Sequence, residues 1–215
     1  MKTVLKMFFS FLSFLFCLLI FSGCTVPGGG SATLPELQWE GRNYGSVADG
    51  VYSNGIFSWT LPDGGRGCKL LTDNPALQET EVILRNGPEG SEEKIIVTRN
   101  FFQTSEMPEK ELLQKIAEQE LSALRAGYND LKTTEITDFA TEKISGRYFG
   151  CRTDNVEMSI VFFRPAGTSD LCSYSYSRML PRRNSSSWEV LRQKTESGAA
   201  KIKFHTLANS VFSSR

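Results

Sequence analysis

In this 215-residue chain the side chains best suited to covalent or proton-transfer chemistry are five cysteines (Cys17, Cys24, Cys68, Cys151, Cys172) and a single histidine, His205. One imidazole excludes any metal site built on several histidines, and it leaves a hydrolytic triad dependent on His205 alone. A histidine just after a helical pattern more often serves the helix dipole or packs. No Ser stands in a Gly-x-Ser-x-Gly elbow. The run Gly64-Gly65-Arg66-Gly67-Cys68-Lys69 lacks the spacing and the hydroxyl of a phosphate-binding loop, so it reads as a plain loop. Carboxylates are plentiful, but sequence fixes the placement of no pair. Glu111 and Glu118 fall on the polar side of a helical pattern, whereas Glu120 falls inside its apolar stripe, between Ile116 and Leu124. There it is either a functional acid or a side chain reaching out at the edge of the packed face. No catalytic residue, metal ligand or cofactor is expected.

The cysteine with a defined chemistry is Cys24. Lys2 and Lys6 are followed by an apolar run over residues 7–21 and then by small Ser22 and Gly23, the order of an export signal and its cleavage point. The apolar run is shorter than the ~20 residues that span a bilayer. Phe21-Ser22-Gly23-Cys24 resembles the lipobox of bacterial lipoproteins, with Phe21 where that family usually carries an aliphatic. The resemblance implies cleavage before Cys24, a diacylglyceryl group on its sulfur and acylation of the new N-terminus. The other reading is an ordinary secretory signal or an uncleaved anchor. Thr25 stands where the family's inner-membrane retention signal has Asp, which favours the outer membrane if the cell is Gram-negative.

Residues 1–23 are thus expected to be the signal and residues 24–45 a lipid-bearing tether, since Thr25-Val26-Pro27-Gly28-Gly29-Gly30-Ser31 has almost nothing to bury. Residues 46–215, about 170 in number, suit one domain with a single core. Cleavage removes Lys2 and Lys6, leaving 22 basic and 24 acidic residues and a net charge of −2. The distribution is uneven. From 178 to 215 there are eight basic residues (Arg178, Arg182, Arg183, Arg192, Lys194, Lys201, Lys203, Arg215) against Glu189 and Glu196. That end is a candidate contact for anionic head groups or a partner, each cation near such a surface adding ~1 kcal/mol. The plainer reading is a solvated face paired with the acidic remainder.

Cys68, Cys151 and Cys172 remain, an odd number in an exported chain. Cys151 and Cys172 both fall on strands of the expected meander, where a cross-sheet contact is possible, and are the preferred bridge, while Cys68 sits in a loop that could reach either. The alternative is that all three are reduced and buried, behaving as small hydrophobes. No Cys-x-x-Cys is present to support thiol exchange.

These residues must be positioned by an α+β pattern. Residues 55–61 alternate and stop at Pro62-Asp63-Gly64-Gly65, a strand running into a turn. Residues 82–85 and 94–102 form a hairpin, and residues 108–126 a helix with a stripe of Leu113, Ile116, Ala117, Leu121 and Leu124. Strands follow at 132–138, 143–152, 157–163 and 171–178, the last three an antiparallel meander. A closing helix spans 186–202, with Gly198 costing ~1 kcal/mol in its interior. Tyr174 and Tyr176 share a strand face with Cys172, with Tyr148 on a neighbouring strand; that face is either an aromatic platform or the side beneath a helix.

This order, together with Phe57-Ser58-Trp59-Thr60-Leu61-Pro62-Asp63-Gly64, the position of the long helix and Ile144-Ser145-Gly146-Arg147-Tyr148-Phe149-Gly150, resembles the PsbP-like fold family. The similarity covers roughly residues 55–204. It implies a mostly antiparallel sheet flanked by two amphipathic helices, an αβα sandwich, and it carries no catalytic residues with it. The expected function is a lipid-anchored envelope protein that is no enzyme and serves interaction or assembly. Its partners would be the membrane, through the N-terminal lipid, and an envelope protein, with nucleic acid excluded by export. The alternative is an envelope hydrolase or ligand-binding protein with a carboxylate or Ser site.

Overall fold

The structure, a computed structural model, describes residues 38–41, 45–73, 79–86, 90–180 and 185–205. The signal, Cys24, Arg182, Arg183 and Arg215 lie outside the described residues. Strands β1 (Gln38–Gly41), β2 (Ser46–Ala48), β3 (Val51–Ser53), β4 (Phe57–Thr60), β5 (Cys68–Asp73), β6 (Glu79–Asn86) and β7 (Ser91–Thr98) precede helix α1 (Glu109–Gly127). Then come β8 (Lys132–Thr133), β9 (Thr137–Ala140), β10 (Ser145–Arg152), β11 (Val156–Phe163), β12 (Leu171–Met179), helix α2 (Trp188–Ala200) and β13 (Ile202–Phe204).

Among the described residues two sheets form. The large one runs β1-β5-β6-β7-β12-β11-β10-β8, with β9 also on β10, and every pairing except β1 with β5 is antiparallel. The small one runs β13-β4-β3-β2, antiparallel throughout. The fold is therefore α+β, with a mostly antiparallel sheet and two helices, as the periodicities require.

Side-chain alternation gives the large sheet two chemically distinct faces. On one, the apolar stripe of α1 (Leu113, Ile116, Ala117, Leu121, Leu124) is buried where the helix packs on β10 and β11. On the other, a core of Leu70, Val82, Leu84, Ile95, Val97, Tyr148, Val161, Phe163, Cys172 and Tyr174 meets α2 and the inner face of the small sheet, Tyr52, Phe57 and Trp59. Gly146 at the start of β10 lets that strand close on β11: a β-carbon there would lie 2.1 Å from the Phe162 carbonyl oxygen.

Several boundaries differ from expectation for identifiable reasons. Residues 38–41, assigned above to the tether, pair with β5 as its parallel neighbour. The second hairpin strand stops at Thr98 because Asn100 adopts φ 55°, its N–H donating to Asp170 Oδ1, and Phe101–Thr104 curl into a 3-10 turn. The strand expected at 132–138 is split into β8 and β9 around Thr134, whose Oγ1 accepts from the Gly150 N–H. The closing helix ends at Ala200, because Ile202 pairs with Trp59 as a strand residue. Among the described residues no helix is long and apolar enough to cross a membrane.

Candidate functional site

Three strands of the meander carry Arg152, Glu157 and Arg178 side by side in one cross-strand row, on the face covered by α2. Glu157 is 0 % exposed, yet both of its oxygens are occupied. Oε1 accepts from Arg178 Nη2 and from Ser186 Oγ, each at 2.8 Å, and Oε2 accepts from the Ser186 N–H at 2.8 Å. Arg152 donates from Nη2 to the Ser186 carbonyl at 2.9 Å and stacks its guanidinium 3.6 Å over the Trp188 ring. Ser187 then caps α2 by accepting from the Val190 N–H. The row holds the entry of α2 against the sheet by charge-assisted hydrogen bonds, the strong class of such contacts.

A second acid fastens the opposite flank. Asp138 on β9 pairs with Arg147 on β10 and with Lys110 on α1, while its carbonyl accepts from Arg192 on α2. Arg192 also bonds Thr137 and Glu196 and lies over the rings of Tyr148 and Phe139. Arg178 and Arg192, grouped from sequence with the free basic surface, are therefore engaged within the fold. Lys194 and Lys203 are exposed and Lys201 is half-buried; among the described residues these three have no ion-pair partner.

The tyrosine face is core rather than platform. Tyr148, Tyr174 and Tyr176 are buried beneath α2, and the Tyr174 hydroxyl donates to Glu93 Oε2 at 2.8 Å. Burial, aided by the nearby Glu93 carboxylate, pushes the Tyr174 hydroxyl well above its ordinary range. Tyr148 is pushed up to about 12 by burial, against the Arg192 charge that favours ionisation. Ser159 and Thr195 share a buried hydrogen bond that ties β11 to α2.

The preferred Cys151 to Cys172 bridge is not formed, and the register forbids it. Cys151 pairs with Met158 and Cys172 with Phe163, two positions on β11 five residues apart, which is about 17 Å of strand. The odd offset also turns the two thiols to opposite faces of the sheet. A disulfide needs Cα atoms within ~7 Å. Cys68, Cys151 and Cys172 are all free and buried. Burial raises each thiol; Cys151 reaches about 12, with the Glu120 carboxylate adding to the rise, and Cys68 is raised further by Glu93 and Asp63.

His205 is exposed just beyond β13, where its N–H donates to the Ile56 carbonyl at 2.9 Å. The Gly64 to Lys69 run is a turn followed by the start of β5, and Asp63 and Gly64 both take left-handed backbone angles there. Glu120 is half-buried in the α1 stripe, and burial raises its carboxyl against the opposing charge of Lys94. The acids that do most within the fold, Glu157 and Asp138, escaped the sequence reading, although one signal was present. Arg152 and Glu157 are equidistant from the Asp154-Asn155 turn, so a tight hairpin makes them neighbours.

No family model matches the chain, and no curated protein matches it. Among solved structures the chain is similar to the solution structure of cyanobacterial PsbP (CyanoP) from Synechocystis sp. PCC 6803, at 10% sequence identity and a TM-score of 0.47, over 84% of this chain and 98% of that one.

Proposed function

We propose that this chain is a bacterial envelope lipoprotein, held to the membrane by acyl groups on Cys24 and presenting a PsbP-like α+β domain as a non-enzymatic interaction module. The observation that carries the anchor is the series Lys2, Lys6, the apolar run 7–21 and Phe21-Ser22-Gly23-Cys24. Several acyl chains, at ~0.8 kcal/mol per buried CH₂, hold a protein stably where one chain does not. Thr25 after the modified cysteine favours the outer membrane of a Gram-negative cell. The module reading is supported by the structural use of four buried or half-buried charged groups, Glu157, Arg178, Arg152 and Arg192, which with the exposed Asp138 fasten helices to the sheet.

The test is metabolic labelling with an alkyne palmitate analogue. The parent chain is expected to take up label and fractionate with membranes, and Cys24→Ala to lose both. Equal labelling of the Cys24→Ala chain would overturn the anchor. For the module, crosslinking in the intact envelope followed by identification of the attached protein is expected to return a defined partner. A chain that crosslinks to nothing while hydrolysing an envelope substrate would replace this reading with the enzyme.

A further inference from the structure

The small sheet has one face in the core and one turned outward, and a polar row crosses the outward face. Register sets Ser46 beside Ser53, Ser53 beside Ser58, and Ser58 beside Lys203, so three hydroxyls and one ammonium form a row across all four strands. At a strand spacing of ~4.8 Å the row is about 14 Å wide. The next row holds Ala48, Val51 and Thr60, and the Thr60 N–H donates to the carbonyl of Lys201 at 3.2 Å. Along β13 the alternation is clean. Ile202 is buried and Phe204 packs on Phe57 and Phe163, while Lys203 and His205 are exposed and Lys201 is half-exposed. Lys194 is exposed two helical turns before Lys201 on α2. Two acids stand in turns that flank these strands, Asp49 between β2 and β3 and Asp63 three residues beyond Thr60 after β4.

Among the described residues, the hydroxyls of Ser46, Ser53 and Ser58 and the ammonium groups of Lys194, Lys201 and Lys203 have no side-chain partner. The face presents donors to solvent. The large hydrophobics that are exposed among the described residues, Met179 and Val190, lie on β12 and α2 rather than on this sheet, so the face is built to meet charge rather than to insert. The ligand chemistry that fits hydroxyl and ammonium donors spread over a flat sheet is a field of phosphate oxygens.

We propose that the outer face of the β13-β4-β3-β2 sheet seats on the phosphates of anionic phospholipid head groups in the membrane to which Cys24 tethers the chain. The inference rests on the lipoprotein reading. Each cation close to an anionic bilayer raises the bound-to-free ratio about fivefold, so three lysines give a factor on the order of 10². That is too little to recruit a free protein. The tether changes the comparison. The stretch from Cys24 to Gln38 reaches at most about 50 Å when extended, and a leash of that length holds the domain at millimolar effective concentration beside the lipid. A weak face then becomes a populated one, and the docking sets the domain's orientation on the membrane.

The experiment uses the full acylated protein reconstituted into phosphatidylcholine vesicles, with and without 30 mol% phosphatidylglycerol, and reads amide hydrogen exchange. Peptides spanning 46–60 and 201–205 are expected to exchange about three- to tenfold more slowly on the anionic vesicles. The slowing should vanish in 0.5 M NaCl and in Lys201→Glu/Lys203→Glu, while exchange in β10–β12 stays unchanged as the control for folding. Equal exchange on the two vesicle types overturns the proposal. The same slowing on neutral vesicles with 10 mM inorganic phosphate overturns the lipid as the source and assigns the face to soluble phosphate. Intact mass of the envelope-purified chain reports acylation separately: an unacylated mass overturns the anchor, and docking is then read on processed chain coupled at Cys24 to a maleimide lipid.

Discussion

The backbone of Gly198 on α2 lies against the hydroxyl of Tyr174 on β12, so close that a β-carbon at 198 would meet that oxygen at 1.7 Å and the ring carbon bearing it at 2.4 Å. Tyr174 is fully buried, and its hydroxyl is held by Glu93 at 2.8 Å. A glycine that costs ~1 kcal/mol as a helix residue therefore brings helix and sheet into contact around a fixed phenol.

Gly198→Ala is expected to destabilise the domain by about 2 kcal/mol net, because overpacking outweighs the gain in helix propensity. Tyr174→Phe in the Gly198→Ala background should recover part of that loss, since the oxygen leaves but the ring carbon stays. Urea unfolding of the two single variants and the double variant checks the coupling. A Gly198→Ala protein as stable as the parent would contradict the close approach.

The row of Arg152, Glu157 and Arg178 predicts an asymmetric response to mutation. Glu157→Ala strands Arg178, whose side chain is 31% exposed, and releases both donors of Ser186. Its expected cost is about 3 kcal/mol, on the order of 10 °C in Tm for a domain of this size. Replacing the pair together, Glu157→Leu with Arg178→Met, should cost less than Glu157→Ala alone, because Arg178 is no longer stranded while Arg152 keeps the Ser186 carbonyl and the Trp188 ring. Calorimetry orders the variants, and a double variant worse than Glu157→Ala would show that Arg178 stabilises through its other contacts, such as Ser186 Oγ at 3.0 Å, more than through Glu157.

Much of this arrangement is legible in the sequence where one periodicity persists. The α1 stripe from Leu113 to Leu124 and the strands flanking Asp154-Asn155 each fill a long enough window to declare themselves. Of the small sheet only β4 declares itself, in the alternation over 55–61, because β2 and β3 are three residues long and β13 hides in the tail of a helical pattern. Ile202 sits three residues after Ala199 and so continues the stripe of α2, but Ile202 and Phe204 alternate, and the core beside Trp59 and Phe57 takes them as a strand. Phe101 and Phe102 extend an apolar run that local chemistry ends, through the left-handed Asn100 and its bond to Asp170. The basic end is countable in sequence, but counting does not tell Arg192, stacked on Tyr148, from Lys203 in solvent.

The register of β10, β11 and β12 predicts the thiol chemistry. Native protein should react with a thiol reagent at Cys68, Cys151 and Cys172 at least about tenfold more slowly than unfolded protein, since thiolate is scarce where burial raises the pKa. Mass spectrometry under denaturing, non-reducing conditions should find three free thiols in the processed domain. A Cys151 to Cys172 crosslinked peptide from native material would mean that the meander register is wrong.

Glu120 gives the pH dependence a definite sign. Its carboxyl is raised by burial in the α1 stripe, with Lys94 on β7 opposing the rise and the Cys151 thiol on β10 close enough to feel its charge. The folded state therefore holds this proton at pH values where the unfolded chain has released it. The contribution to stability is whole below the unfolded pKa of ~4.3 and is lost as pH rises through the higher folded value. Glu120→Gln carries a neutral side chain of the same shape and does not titrate. The parent should thus match Glu120→Gln near pH 3.5 and fall progressively below it toward neutrality, the remaining titrating groups being common to both. Urea midpoints measured from pH 3.5 to 7.5 test this. A constant offset between the two curves would show that the Glu120 charge is already solvated at the helix edge, and a parent that gains on Glu120→Gln as pH rises would show that its pairing with Lys94 outweighs burial.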